Sequence, residues 1–540
     1  MLFNSYEFIF AFLPVTLLGF YILGERRRDW ALLWLTAASL FFYAWWRPVN
    51  VLLIAPSILI NLGAARLLER YRVTQPAKAR LVLICGIIFN LCFLGYFKYT
   101  MFLRGAVNDV FGTDLVLTHI ILPLGISFIT FQKIAFLADV HAGRVTAFTL
   151  REYALFVLFF PQLIAGPIVH YREMMPQFRA ITARFNAEDA SVGVTLFFMG
   201  LGKKLLFADP LAPIVAPLYA QAAKGGGLGV FDGWIAALGF LLQVYFDFSG
   251  YSEMALGLAR FFGIKLPVNF NSPLKASSIV DYWLRWHATL TRFLTAYIYN
   301  PLTLRFTRKW MAKGRPAPVG REMTVSAFVI LLMIPTLITM FISGVWHGAG
   351  YTFIIFGLMH GTYICVNHAW RQIKSRVWAG AKNHERAQKV VGWFLTFFAV
   401  VFAIVMFRAP TVAGAVSVWR DMLGFHGATL PSGVLARLGP MTGWLQSMGV
   451  RPDASSGALL MEGTIRIAVL MAVVLCLPNT LEMLARYEPA LGFKPAKQER
   501  WLVRRAGWSA SAPWAVGMAA VAAFGLLSLG QLSEFLYWQF

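Results

Sequence analysis

Apolar runs long enough to cross a bilayer recur from one end of this chain to the other. Hydrophobic residues make up 58% of its 540 residues and charged residues only 14%, whereas a soluble domain carries about 25% charged residues. Such a chain cannot be one soluble globule, because its apolar segments need lipid around them. Pro residues and irregular turns interrupt the runs, which favours helices over a closed β-barrel. The sequence therefore predicts an all-α polytopic membrane protein.

The runs predict roughly a dozen membrane-spanning helices at about 20 residues each. We expect them to form a single integral membrane domain over residues 1–540, in which residues 411–540 are the less distinctive C-terminal part. The predicted spans are Phe8–Leu23, Ala31–Trp46, Val49–Ala65, Leu81–Phe97, Leu115–Ala138, Ser191–Phe207, Trp234–Phe262, Thr324–Met340, Tyr351–Cys365, Val390–Phe407, Ile465–Leu477 and Pro513–Leu529.

Two further segments do not fit a simple span. Tyr153–Val169 is apolar but contains Pro161, Gly166 and Pro167, so we predict a re-entrant segment whose freed backbone groups are buried in protein. Ser278–Asn300 carries apolar residues at helical spacing among charged ones. That pattern predicts an amphipathic helix at the membrane interface.

The formal net charge of the chain is +23. Much of it lies in short loops between the spans, such as the arginine-rich loops at residues 25–29 and 66–80. In such loops, positive charge indicates membrane topology and contact with anionic lipid headgroups. We therefore place these loops in the cytoplasm and expect membrane lipids, not nucleic acid, as the partner of the charge.

One histidine, His347, lies in the stretch Phe341–Gly350 between two predicted spans. An ionisable ring at membrane depth is costly, so it marks a candidate functional site. The neighbouring glycines Gly344, Gly348 and Gly350 allow the backbone to leave a helix and approach a ligand. On the residues alone, a structural role for His347 at a loop or buried carbonyl is equally well supported.

Two carboxylates, Asp247 and Glu253, lie within the apolar run Trp234–Phe262. Gln243, Asp247 and Tyr251 follow one another at intervals of four residues, so they share one face of a helix. An intramembrane carboxylate must be paired or must face water. It can orient a histidine, hold a structural network or carry a proton, and we favour the structural or supporting role over direct chemistry.

A second histidine, His287, lies on the predicted amphipathic helix with Arg285 and Arg292 near it in sequence. Such a histidine is often a surface or packing residue, although two arginines would also suit an anionic cofactor tail. No HExxH motif or Cys/His cluster is present, and His360 and His368 are too far apart to share a metal without other ligands. We expect no metal site.

Five motifs in order resemble the membrane-bound O-acyltransferase (MBOAT) family, and most of all its bacterial alginate O-acetyltransferase branch, which is related to the teichoic acid D-alanyl transferases. The resemblance covers residues 1–410. The motifs are Gln162-Leu-Ile-Ala-Gly-Pro167, Tyr245-Phe-Asp-Phe-Ser-Gly-Tyr-Ser252, Asn269-Phe-Asn-Ser-Pro273, Trp283-Leu-Arg-Trp-His-Ala-Thr-Leu-Thr291 and Ser343-Gly-Val-Trp-His-Gly-Ala349.

The resemblance implies a ring of membrane helices around a funnel-like tunnel, with re-entrant and amphipathic helices beside it. It also implies that His347, in the Trp-His-Gly motif, is the catalytic residue and that His287 is a second functional residue. Relatives usually carry an arginine where this chain has Leu284. Substrate and tunnel-lining candidates are Trp346, Asp247, Ser249, Tyr251, Arg285 and Asn271.

The implied reaction is attack of a hydroxyl group on a cytoplasmic acyl thioester, with His347 as the base. We expect no permanently bound cofactor. The expected donor is acetyl-CoA, with an acyl-carrier protein thioester as the alternative. The expected acceptor is an exported polysaccharide, alginate-like or cellulose-like, or a periplasmic acetyltransferase partner. This implies a multi-pass protein of the bacterial inner membrane.

Two other functions remain open at this point. A polysaccharide or lipid-linked substrate transporter would use Asp247, Glu253 and the histidines as a proton relay. Transporters, however, often show paired repeats with broken helices in corresponding positions, and the sequence shows no convincing repeat. A structural scaffold of a synthase complex would leave His347 dispensable.

Overall fold

The fold is known from a computed structural model, which describes residues 1–118, 120–316, 323–377, 385–453, 457–494, 501, 505–530 and 536. It confirms an all-α polytopic architecture. The helices of the first half are α1 (Glu7–Arg26), α2 (Arg28–Ala44), α3 (Pro48–Thr74), α4 (Pro76–Phe111), α5 (Ile126–His141), α6 (Leu150–Leu158), α7 (Phe160–Leu163), α8 (Tyr171–Ala180), α9 (Ala187–Ala223) and α10 (Val230–Arg260).

The second half begins with two short helices and continues with long ones. They are α11 (Ile279–Arg285), α12 (Ala288–Leu294), α13 (Asn300–Met311), α14 (Val325–His347), α15 (Tyr351–Val377), α16 (Glu385–Arg408), α17 (Val412–Met422), α18 (Ser432–Arg437), α19 (Met441–Ser447), α20 (Gly457–Cys476), α21 (Thr480–Met483) and α22 (Ala512–Leu527). Two short strands, β1 (Ala428–Pro431) and β2 (Val450–Asp453), pair in parallel, and Ala428 lies opposite Val450.

Within the described residues, seven helices are long and apolar enough to cross a membrane: α1, α3, α4, α9, α10, α14 and α16. Other predicted spans form shorter or less apolar helices, as in α2, α15, α20 and α22. The predicted span Leu115–Ala138 is wrong in its first part, because helix α5 begins only at Ile126. Gly112 ends α4 in a left-handed conformation (φ +62°), and Gly125 (φ +68°) precedes α5, so neither helix can continue into the segment between them.

The segment Tyr153–Val169 is broken, as its prolines and glycine predict. Helix α6 ends at Leu158, and α7 follows after Phe159, which has φ −46° and ψ 105°. The prediction of one amphipathic helix over Ser278–Asn300 is wrong. The chain breaks between α11 and α12, where His287 adopts the left-handed conformation with φ 42°.

A backbone ladder explains the break at His287. The N–H of Asn271 donates to Arg285 O at 2.9 Å, and the N–H of Ala288 donates to Asn269 O at 2.9 Å. These bonds replace helical ones and hold the segment 269–271 against the α11–α12 corner. The amphipathic pattern cannot reveal this alternative, because the bonding partner comes from another part of the chain.

Helices α14 and α15 form a tight antiparallel hairpin around the turn at Gly348–Gly350. Gly344 and Gly357 face each other where the helices cross, and a Cβ on Gly344 would lie 3.1 Å from the Gly357 Cα. The stretch containing His347 is therefore the helical end of α14, not a loop. The helix ends at His347, and Gly348 is extended (φ −159°, ψ 158°).

The C-terminal region packs against the same part of the fold. Asn479 caps α21 and donates from its side-chain amide to Asn271 Oδ1 at 3.0 Å and Ser272 Oγ at 2.8 Å. Thr480 donates to Glu253 at 3.0 Å. Residues after 410 therefore support the segment that holds His287.

Candidate active site

The end of α14 is held by two residues of α4. Tyr99 donates its hydroxyl proton to Val345 O at 2.8 Å, and Lys98 Nζ donates to Trp346 O at 2.6 Å and His347 O at 3.1 Å. The last carbonyl groups of a helix have no partners within the helix. Lys98 and Tyr99 supply those partners from α4, and so they fix the backbone position of His347.

The proton positions on His347 follow from one hydrogen bond. His347 Nδ1 lies 2.6 Å from the backbone carbonyl oxygen of Ser343. A carbonyl oxygen can only accept, so Nδ1 carries the proton and Nε2 of the neutral ring has the lone pair. The ring is 6% exposed and packs against Trp346, Phe356 and Phe407. The nitrogen suited to accept a proton is therefore Nε2.

His287 has its tautomer fixed by a longer chain of hydrogen bonds. The backbone N–H of Ile168 donates to Thr289 Oγ1 at 3.0 Å, so the Thr289 hydroxyl proton goes to Asn269 Oδ1 at 2.8 Å. The same oxygen lies 2.9 Å from His287 Nδ1. His287 Nδ1 therefore donates, and its Nε2 is the basic nitrogen. Asn269 Nδ2 completes the set by donating to Ser252 Oγ at 3.0 Å.

The two predicted histidines meet across Trp346. The Trp346 ring centroid is 6.0 Å from that of His287 and 5.1 Å from that of His347. Trp346 also stacks on Phe131 at 5.1 Å, and Phe248 packs edge-on against His287 at 4.8 Å. The structure thus brings His347, His287 and Trp346 into one buried aromatic cluster.

Two of the three candidates on α10 have partners away from the histidines. Asp247 forms an ion pair with Lys204 at 2.7 Å, and both side chains are 2% exposed. Tyr251 stacks on Phe3 at 4.8 Å. Ser249 is buried, and its hydroxyl has no hydrogen-bond partner among the described residues. Asp247 is therefore paired with α9, and Tyr251 packs against the segment that precedes α1.

The two remaining candidates lie at the rim of the His287 corner. Arg285 pairs with Asp281 at 2.8 Å and reaches the Asn271 carbonyl at 3.5 Å. Asn271 accepts from Asn479 as described above. Arg292 forms a two-point ion pair with Glu173 at 2.9 and 3.0 Å. Both arginines that we considered for an anionic cofactor tail already have carboxylate partners.

Sequence reasoning missed three residues of this site. Lys98 and Tyr99 follow the predicted span Leu81–Phe97 directly. A lysine inside the 36-residue helix α4 is the signal that could have identified them. His360 was weighed only as a metal ligand, yet it is 1% exposed and packs on Phe356 at 4.6 Å. Among the described residues, no three His, Cys, Asp or Glu side chains are grouped to hold a metal ion.

The fold and the site together define a polytopic membrane protein with two buried histidines whose Nε2 atoms are basic. A family model for the membrane-bound O-acyltransferase family (MBOAT) matches residues 144–314. The chain belongs to this family, and it is an acyltransferase.

Named relatives extend the similarity over most of the chain. A peptidoglycan O-acetyltransferase of Helicobacter pylori is 40% identical, over 80% of this chain and 81% of its own length. A probable alginate O-acetylase of Pseudomonas aeruginosa is 36% identical, over 79% of this chain and 75% of its own. A teichoic acid D-alanyltransferase of Bacillus subtilis is 27% identical, over 53% of this chain and 68% of its own.

Proposed function

We propose that this acyltransferase moves an acetyl group from a cytoplasmic thioester to a carbohydrate hydroxyl group on the outer side of a bacterial inner membrane. The acceptor is an exported polysaccharide, or a partner acetyltransferase that passes the acetyl group to one. Acetyl is favoured over D-alanyl because the O-acetylating relatives are 36–40% identical and the D-alanylating one 27%.

One observation carries the proposal: His347 donates from Nδ1 to Ser343 O and so presents a basic Nε2. A hydroxyl group is a poor nucleophile until a base removes its proton. His347 Nε2 takes the hydroxyl proton as the new C–O bond forms. As the C–S bond breaks, the same nitrogen returns the proton to the thiolate. The histidine ends each cycle neutral.

The surroundings of His347 suit this cycle. Its ring is enclosed by aromatic side chains, which keep bulk water from competing with the acceptor hydroxyl for the thioester. The Ser343 hydroxyl, one turn before His347, is 1% exposed and has no partner among the described residues. Buried polar atoms are normally paired, so this hydroxyl offers a hydrogen bond to a bound substrate.

His287 acts beside His347 in this scheme. Its Nδ1 is held by Asn269, and its ring centroid lies 6.0 Å from that of Trp346. A basic Nε2 in that place accepts a hydrogen bond from the incoming hydroxyl group or from an amide N–H of the thioester donor. We assign His287 to substrate orientation, because the Asn269 bond fixes the ring plane.

A proton-relay transporter is less well supported. Its two carboxylates are each paired with a lysine, Asp247 with Lys204 at 2.7 Å and Glu253 with Lys203 at 2.5 Å. Breaking a buried ion pair leaves an uncompensated charge, so these pairs favour a structural role for both carboxylates. Thr480 also donates to Glu253, as expected for a structural network.

The test replaces His347 by Ala in cells that depend on this chain, and measures acetyl groups on the exported polysaccharide by mass spectrometry. We expect acetylation to be lost while the protein still accumulates in the membrane. The matched control is His368→Ala, because His368 is a half-buried histidine on α15. His347→Gln, which keeps the side-chain size, covers the case in which the alanine variant does not accumulate. Normal acetylation with either His347 variant would refute the proposal.

A second experiment identifies the acyl donor, with membranes that contain the wild-type chain. Thiol release is measured with acetyl-CoA and, in parallel, with an acetylated acyl-carrier protein. We expect His347-dependent turnover with acetyl-CoA. If only the acetylated carrier protein is turned over, the carrier protein is the donor, and the role of His347 is unchanged.

A further inference from the structure

A third buried histidine, His360, lies close to His347 on the partner helix of the hairpin. Its ring packs on Phe356 at 4.6 Å, and the same Phe356 ring is 5.9 Å from His347. Phe356 therefore contacts both imidazoles. The crossing of α14 and α15 at Gly344 and Gly357 holds both helices at a fixed distance.

The tautomer of His360 is opposite to that of His347. Trp283 Nε1 lies 3.3 Å from His360 Nδ1. An indole N–H can only donate, so Nδ1 of His360 must accept. The proton of the neutral ring is therefore on Nε2. Trp283 is 5% exposed and its ring centroid is 5.0 Å from that of His360, so the donor is well packed.

The hairpin therefore carries a base and a neutral N–H donor that both contact one ring, Phe356. Acyl transfer needs both: the hydroxyl group must lose a proton, and the thioester oxygen must hold negative charge in the tetrahedral intermediate. A neutral N–H fixed in a water-poor site stabilises such charge without reorganisation. Of the groups assigned to the reaction so far, only the Ser343 hydroxyl could also donate there.

We infer that His360 is a further catalytic residue, whose Nε2–H donates to the thioester carbonyl oxygen while His347 accepts the hydroxyl proton. The C–O bond forms and the C–S bond breaks as in the proposed function, on which this inference rests. The transferred proton passes from the hydroxyl group to His347 and then to the thiolate. His360 keeps its own proton throughout, and Trp283 is the positioning residue that holds it in the donating tautomer.

The test compares two amides at position 360. The side-chain amide of His360→Gln reaches the position of Nε2 and keeps an N–H donor there, whereas that of His360→Asn reaches only the position of Nδ1. Initial rates of thiol release are measured in membranes, with whichever donor the wild-type chain turns over. We expect His360→Asn to lower kcat by about 100- to 1000-fold, as for loss of one oxyanion donor, with KM changed by less than about 3-fold. His360→Gln should keep most of the activity.

Trp283→Phe tests the positioning role. Without the indole N–H, His360 is free to place its proton on either nitrogen, so kcat should fall. The same substitution in the His360→Gln background should have no further effect, since an amide has no tautomer to select. The matched control is His368→Asn on the same helix, which should leave kcat unchanged.

Three results would overturn the inference: wild-type kcat in His360→Asn, equal loss in His360→Asn and His360→Gln, or an undiminished effect of Trp283→Phe in the Gln background. Each variant is compared at equal amounts of membrane-inserted protein, with thermal unfolding as the check on folding. An active His347→Ala would instead refute the proposed function itself. Inactive His347 variants beside an active His360→Asn would refute only the role of His360.

Discussion

The crossing of α14 and α15 makes a sharp prediction for Gly344→Ala. The added Cβ would overlap the carbonyl oxygen of Phe353 and would lie 3.1 and 3.2 Å from Gly357 Cα and N. Three of its neighbours are backbone atoms, which cannot rotate away. The two helices must therefore separate for the methyl group to fit.

The size of that separation sets the expected loss. Carbon atoms reach their best contact at about 3.5–4.0 Å, so relieving the overlap requires a shift of about 1 Å. Gly344 lies one helical turn before His347, so the shift moves His347 relative to α15. A misplacement of about 1 Å from a distant mutation can cost about 100-fold in rate. We expect Gly344→Ala to lower the rate of acyl transfer by about that factor.

The assay is thiol release in membranes, normalised to the amount of inserted protein. Gly357→Ala should behave like Gly344→Ala, because its Cβ would lie 2.9 Å from Gly344 Cα and closer still to Met340 O. Gly350→Ala is the matched control from the same hairpin, since its Cβ would meet nothing nearer than 3.5 Å. Wild-type rates in both Gly344→Ala and Gly357→Ala would refute the argument that the crossing positions His347.

Two other substitutions test contacts around the site. Lys98→Met removes the donor to Trp346 O and His347 O. Because leaving buried acceptors unpaired costs about 1–3 kcal/mol, we expect kcat to fall by about 10- to 100-fold. An unchanged kcat, measured in membranes, would contradict this expectation. Glu152→Gln tests an ion pair. In the wild-type chain, the hydrogen-bonded Arg179 holds the pKa of the Glu152 carboxyl below its ordinary value of 4.5. The pair therefore stabilises the fold above pH 4.5, and that stabilisation disappears as the pH falls through the lowered pKa. Thermal unfolding followed from neutral to acidic pH should therefore show a smaller pH-dependent loss in the Gln variant, and parallel losses would rule out the pair as a cause.

The sequence was sufficient for features that depend on local composition. Long apolar runs identified most of the membrane helices, and the prolines and glycine of 161–167 identified the break between α6 and α7. A costly intramembrane histidine marked His347 before any contact was known. The predictions of the helices and of the break succeed because burial in lipid imposes its rule on each segment separately. The functional role of His347 stays a prediction.

Features that depend on distant partners could not be predicted in this way. The corner at His287 exists because residues 269–271 bond to the backbone between Arg285 and Ala288. The proposed role of His360 depends on its hydrogen bond with Trp283, which is 77 residues away. Lys98 caps a helix that ends 249 residues later. Hydrogen-bond direction, and with it the acid or base character of each imidazole, appears only when these pairs are in place.

The contact of Asn479 with Asn271 spans 208 residues of chain, and this separation has a consequence for biosynthesis. At about 5–20 residues per second, a ribosome takes about 10 s or longer to add Asn479 after Asn271. During that interval the segment that orients His287 lacks its last support. We therefore expect a nascent chain that lacks Asn479 to hold the His287 corner less firmly than the complete chain does.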